Sequence, residues 1–387
     1  MPDWLRLSIA GSATLLVGMG LGRFSYSPLI PALIEDGILN ASEAGIVGAS
    51  NFAGYLAGAL AAPLLKRTFG EVRTVRIALV TAFLCLAGSA LPFGFFWLAA
   101  CRALVGACVG VMMIYAVSLV TRATPPGRLG TATGIVFAGV GLGILFAGLL
   151  VPLLLETGLI AAWSGIAAIG CLAVGIAFWG WRPADGLPSP EDRRRLPRIR
   201  WSPLVLGFIG ARTLFALGLI PHSIYWVDFL VRGLGNDIHF GGFHWILFGI
   251  GAIAGTFLWG MLADRIGFRA GLVLAFAVLA IGVALPALYA TGSVLVFSSL
   301  AVGAQPGVTA ILAGRVHQLM GPEGMTVIWR RSALVSTVVQ AVASYGYVLL
   351  FDYTEDYTKI FLAGGAAMAL GALISLTLSA PAATPRR

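Results

Sequence analysis

Charge is what this chain has least of: only 11% of its 387 residues are Asp, Glu, Lys or Arg, against about a quarter in an ordinary soluble domain. Extended polar runs are missing too, with one exception, and stretches such as Phe276 to Leu288 have no polar face to turn toward water. A water-soluble enzyme with a large core is thereby excluded. Cysteine numbers four, and Cys85, Cys101, Cys108 and Cys171 all fall inside apolar segments, where they suggest neither a disulfide framework nor paired metal ligands. Histidine is equally sparse, and His239 and His244 stand five apart, a poor helical spacing for one metal ion. No G-x-x-x-x-G-K-S/T loop is present, which argues against a built-in ATPase, and no cofactor is expected. The net charge of +9 is not gathered into one basic face with interleaved aromatics, so no nucleic-acid partner is expected.

What is present is hydrophobicity, at 59% of residues. A helix of roughly 20 apolar residues crosses the hydrocarbon core of a bilayer, and the spacing predicts twelve crossings. They lie near 6–34, 43–65, 74–94, 96–121, 129–155 and 158–181, then 202–231, 240–263, 270–290, 293–317, 325–351 and 357–380. The first stretch is too long for a secretory signal and lacks a small-residue cleavage site, so it reads as the first membrane helix. The expected fold is all-α, two six-helix bundles (1–181 and 202–387) joined by a polar linker (182–201). Lys and Arg collect on the cytoplasmic side of membrane proteins. With the N-terminus inside, Lys66, Arg67, Arg73, Arg76, Arg122, Arg128, the linker arginines, Arg265, Arg269, Arg330, Arg331, Arg386 and Arg387 are all cytoplasmic. Glu35, Asp36, Glu43, Asp237, Asp352, Glu355 and Asp356 then lie outside, with Arg232 and Lys359. Both termini are therefore expected in the cytoplasm.

The loop after the eighth helix runs Gly260, Met261, Leu262, Ala263, Asp264, Arg265, Ile266, Gly267, Phe268, Arg269. It resembles the cytoplasmic-loop signature G-x-L-A-D-R-x-G-x-R of the major facilitator superfamily of transporters. The loop after the second helix, Lys66 to Arg73, is its degraded first copy. Aligning Gly70 with Gly267 offsets the halves by 197 positions and sets Arg67 opposite Asp264. Arg102, Gly106 and Gly110 in helix four resemble the family's R-x-x-x-G element. Gly134, Gly139, Gly141, Gly143 and Gly148 resemble its glycine-rich helix five, without the Gly-Pro step typical of antiporters. The segment GMGLGRFSYSPLIPAL in helix one is similar to that of the YbfB-like branch. The resemblance implies two halves rocking about a central site and a monomeric carrier. It also implies a latch, in which Asp264, with Gly260, Arg265, Gly267 and Arg269, meets the start of helix five near Leu129 and Gly130 in one state only. With arginine at 67, that latch is expected to be one-sided.

A charge near the bilayer midplane costs a few kcal/mol and faces a cavity or a partner. Arg23 stands there, beside Phe24 and Tyr26 and below Pro28 and Pro31, which weaken the helix ladder. It is a candidate for substrate binding, the alternative being a buried ion pair. Arg102 either couples to proton movement or to the substrate, as the resemblance implies, or snorkels to the outer interface or caps a neighbouring helix. Arg212 reads as interfacial. Helix seven brings His222, Tyr225, Trp226 and Asp228. The offset sets Ser25 opposite His222, which suggests a central site between helices one and seven. His222 either carries a proton or is a packing residue, and Asp228 either relays protons, pairs with Arg23 or Arg102, or marks the outer mouth. Gln305 and Gln340 either contact solute or bridge helices.

An exporter of cations needs an embedded carboxylate, and the first six helices have none near the midplane. Arg23 favours an anionic or polar organic solute held by a bidentate guanidinium grip. The expected function is thus a secondary transporter of a small solute, proton-coupled and operating by alternating access in a bacterial inner membrane. The alternatives are a proton-driven exporter of drugs or metabolites, a transporter-like sensor, and an integral membrane lipid enzyme.

Overall fold

The computed structural model describes residues 1–125, 127–186 and 199–378. Most of the linker, including its arginine run, and the two C-terminal arginines lie outside the described residues. Within them the chain is helical throughout. Ten helices are long and apolar enough to cross a membrane, and eleven if the pair Gly292–Gly303 and Gln305–Gly321, bent by 42°, counts as one span. Glu71–Gly88 is the twelfth; it is apolar beyond its first turns but fails to qualify with them because of its three charges, Glu71, Arg73 and Arg76.

In chain order the spans are α1 (Asp3–Glu35), α2 (Ala41–Phe69), α3 (Glu71–Gly88), α4 (Gly94–Ala123), α5 (Leu129–Leu155) and α6 (Leu159–Gly180). There follow α7 (Pro203–Ile224, continued through Trp226–Asp228 and Phe229–Gly233), α8 (Ile238–Ile266), α9 (Phe268–Leu288), α10 (the bent pair), α11 (Glu323–Thr354) and α12 (Tyr357–Thr377). Twelve crossings return the chain to the face where it began, here called the terminal face; the opposite one is the far face. Helix three begins earlier and ends earlier than expected. Its start is set by Gly70, whose φ of +79° suits a residue without Cβ, and its end comes in the turn that precedes Gly94 at φ +73°. Helix one is interrupted near Pro28, where its prolines were expected to weaken it, and helices seven and ten, expected as continuous spans, are interrupted too.

The 197-residue offset holds in the coordinates. α2 and α8 are each 29 residues long and begin at 41 and 238. Their caps are Asn40, whose side chain accepts from the Glu43 N–H in a capping box, and Asp237, which accepts from the Phe240 N–H. Gly70 and Gly267 share one backbone conformation, φ +79° and +84°. The acidic residues Glu43 and Asp237, expected simply as outer-loop charge, thus also terminate helices at orphan N–H groups.

Lipid gives no hydrophobic drive for helix pairing, so close van der Waals approach must hold the bundle. The glycines of α5 serve two faces. Gly139 and Gly143 leave no room for a Cβ against Ser12 and Gly20 of α1, while Gly141 and Gly148 do the same against α8 at Ile253 and Ile246. α5 is therefore the seam between the first six spans and the last six.

Candidate functional site

The site begins with a broken helix. Pro28 has no N–H to give, and α1 passes through a turn at Ser25–Tyr26 and a short 3-10 segment, Ser27–Leu29. Carbonyls of Gly22, Arg23 and Phe24 are left to find donors elsewhere. Arg102 of α4 supplies two, donating from Nη1 to the Gly22 oxygen and from Nη2 to the Arg23 oxygen at 2.7 Å. Trp245 of α8 supplies the third, its Nε1 donating to the Phe24 oxygen at 3.1 Å. Arg102 is 2% exposed, its guanidinium lies 4.8 Å over the Tyr26 ring, and its own carbonyl accepts from Asn51 at 3.1 Å. It does not snorkel to an interface; it caps the break in α1.

With the Arg23 carbonyl held in this way, the Arg23 side chain lies against aromatic faces. Its guanidinium carbon is 4.1 Å from the Phe52 ring centre and 5.6 Å from that of Phe24. It makes no hydrogen bond or ion pair among the described residues, and its buried Nε is unpartnered. The expected alternative of a buried ion pair is not what the structure contains. Tyr55 of α2 stands within electrostatic range of both Arg23 and Arg212. Arg212 of α7, expected at the interface, is instead stacked 3.9 Å over Trp329 of α11, with long contacts of 3.4 Å to the Trp329 oxygen and Ser332 Oγ. Two guanidinium groups, one from each half of the sequence, therefore share Tyr55 as a neighbour.

The other predicted residues divide. Tyr26 donates to the Ala44 oxygen of α2 at 2.9 Å, and Phe24 packs against Trp245 and Phe248 of α8 with ring centres 6.2 Å apart in each case. Both help close the molecule toward the far face, as does Ser27, whose hydroxyl reaches the Ile224 oxygen at 3.4 Å. His222 and Trp226 turn into the packing of α8, α9, α10 and α12. Ser298 Oγ spends its hydrogen on the Gly282 oxygen at 2.7 Å, so the 2.9 Å contact between His222 Nε2 and Ser298 Oγ needs the imidazole as donor, which leaves Nδ1 as a buried, unpartnered acceptor. Trp226 stacks on His222 at 4.4 Å and donates to Ser299 Oγ at 3.2 Å, which His244 Nδ1 also meets at 3.0 Å. Tyr225 packs against Phe351, and its hydroxyl is buried beside Gly45 of α2 without a partner.

Asp228 pairs with neither Arg23 nor Arg102. It forms an ion pair with Arg232 at 3.3 Å and accepts from the Tyr357 hydroxyl at 2.5 Å. Residues four apart on one helix are neighbours, and Arg232 is the nearest cation that α7 itself provides. Gln340 bridges α11 to the Ala216 oxygen of α7 at 3.2 Å. Gln305 opens the second part of α10, half-buried, with no side-chain hydrogen bond among the described residues.

The latch residues lie on the terminal face. Gly267 makes its turn, Arg269 donates to the Leu376 oxygen, and Arg265 and Asp264 are exposed. Asp264 makes no hydrogen bond or ion pair among the described residues, so its expected contact with the start of α5 is absent from this conformation. In the first copy, a residue that sequence reading passed over carries the loop: Glu71 pairs with Lys66 at 3.0 Å and with Arg122. On the far face, His239 of α8 reaches Glu156 of α5 at 3.1 Å. A cleft of about 580 Å³ opens there, lined by Pro31, Glu35, Pro152, Glu156 and Asp237 among others. It lies outside the closed contact of α1, α7 and α8.

Fold and site together define a multi-pass membrane transporter. Among solved structures, the crystal structure of a D-xylose-proton symporter matches with a TM-score of 0.74 at 16% sequence identity, over 97% of this chain and 98% of that one. A search of curated proteins found no match. Residues 15–376 match the family described as uncharacterised MFS-type transporter YbfB, and the chain belongs to that family of major facilitator transporters.

Proposed function

We propose that the protein is a proton-coupled secondary transporter of an anionic organic solute, resident in a bacterial inner membrane with both termini in the cytoplasm and working as a monomer. The observation that carries this reading is Arg23: a guanidinium embedded mid-span, flanked by rings and without a carboxylate partner among the described residues. Leaving such a charge unmatched costs a few kcal/mol, which a bound anion would repay through charge-assisted hydrogen bonds. The one deeply buried carboxylate among the described residues, Asp228, is committed to Arg232 and Tyr357, so export of organic cations is the weaker reading. Asp228 and His222 are the buried titratable groups through which proton coupling would run.

The orientation rests on charge. The terminal face carries Lys66, Arg67, Arg73, Arg122, Arg128, Arg265, Arg269, Arg330 and Arg331, while the far face carries Glu35, Asp36, Glu156, Asp237, Asp352 and Asp356 against Arg232 and Lys359. Residues 1–181 and 202–387 are the two units that would rock about the α5–α8 seam. The inter-half contacts of Phe24, Ser27, Trp245 and His239 close the far side, so this conformation has the site shut off from outside.

The test is thermal stabilisation of purified protein by organic anions, amino acids, sugars and cationic drugs at two pH values. A ligand at one hundred times its Kd adds about 2.7 kcal/mol. Stabilisation by organic anions that Arg23→Gln abolishes is the expected result; stabilisation by cations alone overturns the reading.

A further inference from the structure

We infer that the solute carries two separated anionic groups, one held by Arg23 and the other by Arg212, with the Tyr55 hydroxyl between them; the chemical class is a dicarboxylate. This rests on the reading of the site as an anion site and goes further, because it adds a second cation and sets the spacing of the charges.

The two arginines are alike in how they are held. Each guanidinium lies over an aromatic ring, Arg23 over Phe52 at 4.1 Å and Arg212 over Trp329 at 3.9 Å. A guanidinium over a ring keeps N–H groups with which it grips a carboxylate through two hydrogen bonds, and the contacts of Arg212 Nη1 to the Trp329 oxygen and Ser332 Oγ are long, at 3.4 Å. Neither forms an ion pair among the described residues. Two carboxylates with buried side chains are engaged elsewhere: Asp228 with Arg232 and Tyr357, Glu71 with Lys66 and Arg122. Two positive charges thus stand within electrostatic range of Tyr55, neither with an ion pair among the described residues.

Their depths differ. Arg23 lies 20 residues from the start of α1 and Arg212 nine from the start of α7, which at 1.5 Å per residue puts their backbones about 16 Å apart along the membrane normal. Tyr55, near the middle of α2, falls between. A separation of that order keeps the two guanidinium groups from closing together on a single small group. A compact anion would satisfy one and leave the other facing low dielectric. A molecule with carboxylates at both ends satisfies both, and its middle would lie beside Tyr55. Because Arg23 belongs to the first six spans and Arg212 to the last six, such a solute would also tie the two halves together when bound.

The experiment measures thermal stabilisation of the full-length protein in detergent by acetate, butyrate and hexanoate against malonate, succinate, glutarate and adipate, all at one ionic strength. At least one dicarboxylate is expected to shift Tm beyond every monocarboxylate, at a Kd at least tenfold lower. Arg212→Gln is expected to remove that advantage and leave the two series equal. Arg212→Lys, which keeps the charge but loses the fork, is expected to retain part of it, and its unliganded Tm reports whether the site still folds. Monocarboxylates binding as tightly as any dicarboxylate, with Arg212→Gln neutral, would make the two arginines successive stations for one anionic group and overturn the inference while leaving the anion reading intact. If no carboxylate of either kind stabilises the wild type, both fall.

Discussion

Replacing Trp245 with phenylalanine removes one hydrogen bond from the structure and very little else. The ring that packs against Phe24 and Phe248 remains, but the Phe24 carbonyl loses the only donor it has, because Pro28 cannot supply the intrahelical one. Leaving a buried acceptor unpaired costs about 1–3 kcal/mol. That penalty falls on the conformation described here, in which α1 and α8 touch. When the halves separate on the far side the carbonyl meets water, and wild type and variant differ little. The equilibrium should therefore move toward the far-open state by about 1.4 kcal/mol or more, a tenfold change or greater. Val348 reports it: it is 3% exposed and packs against Gly45 of α2 across the same closure. A cysteine at that position, in a background with the four native cysteines replaced, should react with an impermeant maleimide added to the far face about ten times faster in Trp245→Phe than with Trp245 intact. An unchanged or slower rate would refute the idea that this bond holds the far side closed.

Arg102 donates to two carbonyls of its own half, so its role should not vary with conformation: Arg102→Gln is expected to lower unfolding stability by about 3 kcal/mol, from hydrogen bonds of about 1.5–3 kcal/mol each to a charged donor, with Arg102→Lys recovering about half in the same detergent melt. Asp264, exposed and unpaired here, should tolerate Asn within about 0.5 kcal/mol in that melt, while solute uptake into proteoliposomes falls because the terminal-face contact forms only in the opposite state.

The helices were legible because membrane spans announce themselves by length and apolarity, and the 197-residue offset was legible because it rests on Gly70 and Gly267, whose positive φ leaves sequence little choice. That the breaks in α1 would fall near Pro28 followed from proline's missing N–H. Where the freed carbonyls would find donors did not follow, because a side chain reaching across from α4 or α8 leaves no mark in either local sequence. Trp245 sits in an apolar run with nothing to distinguish it. Arg102 was visible as an embedded charge, yet its choice between capping a helix and moving a proton is a matter of distance, which spacing along one helix cannot give.

Depth was read well and direction poorly. His222 and Asp228 were expected to share a central site with Arg23 because the offset gave them similar depth, and depth is what counting residues measures. Facing is set by the irregular turns of α7 between Gly218 and Gly233, where each departure from α geometry rotates everything beyond it. Arg212 lies on the regular stretch before the break, where a different cause hid it: it lies over Trp329 and within electrostatic range of Tyr55. Sequence placed it at an interface by distance from the helix end alone. An arginine that near to a helix end can reach water by extending its stem, and only the presence of Trp329 on α11, more than a hundred residues away, supplies a ring for it to lie on instead. A broken helix is thus both the feature that makes a carrier's site and the feature that defeats a count of residues along it; a ring supplied by a distant helix escapes that count as well, which is why the cation found by its mid-span position was anticipated and its partner across the seam was not.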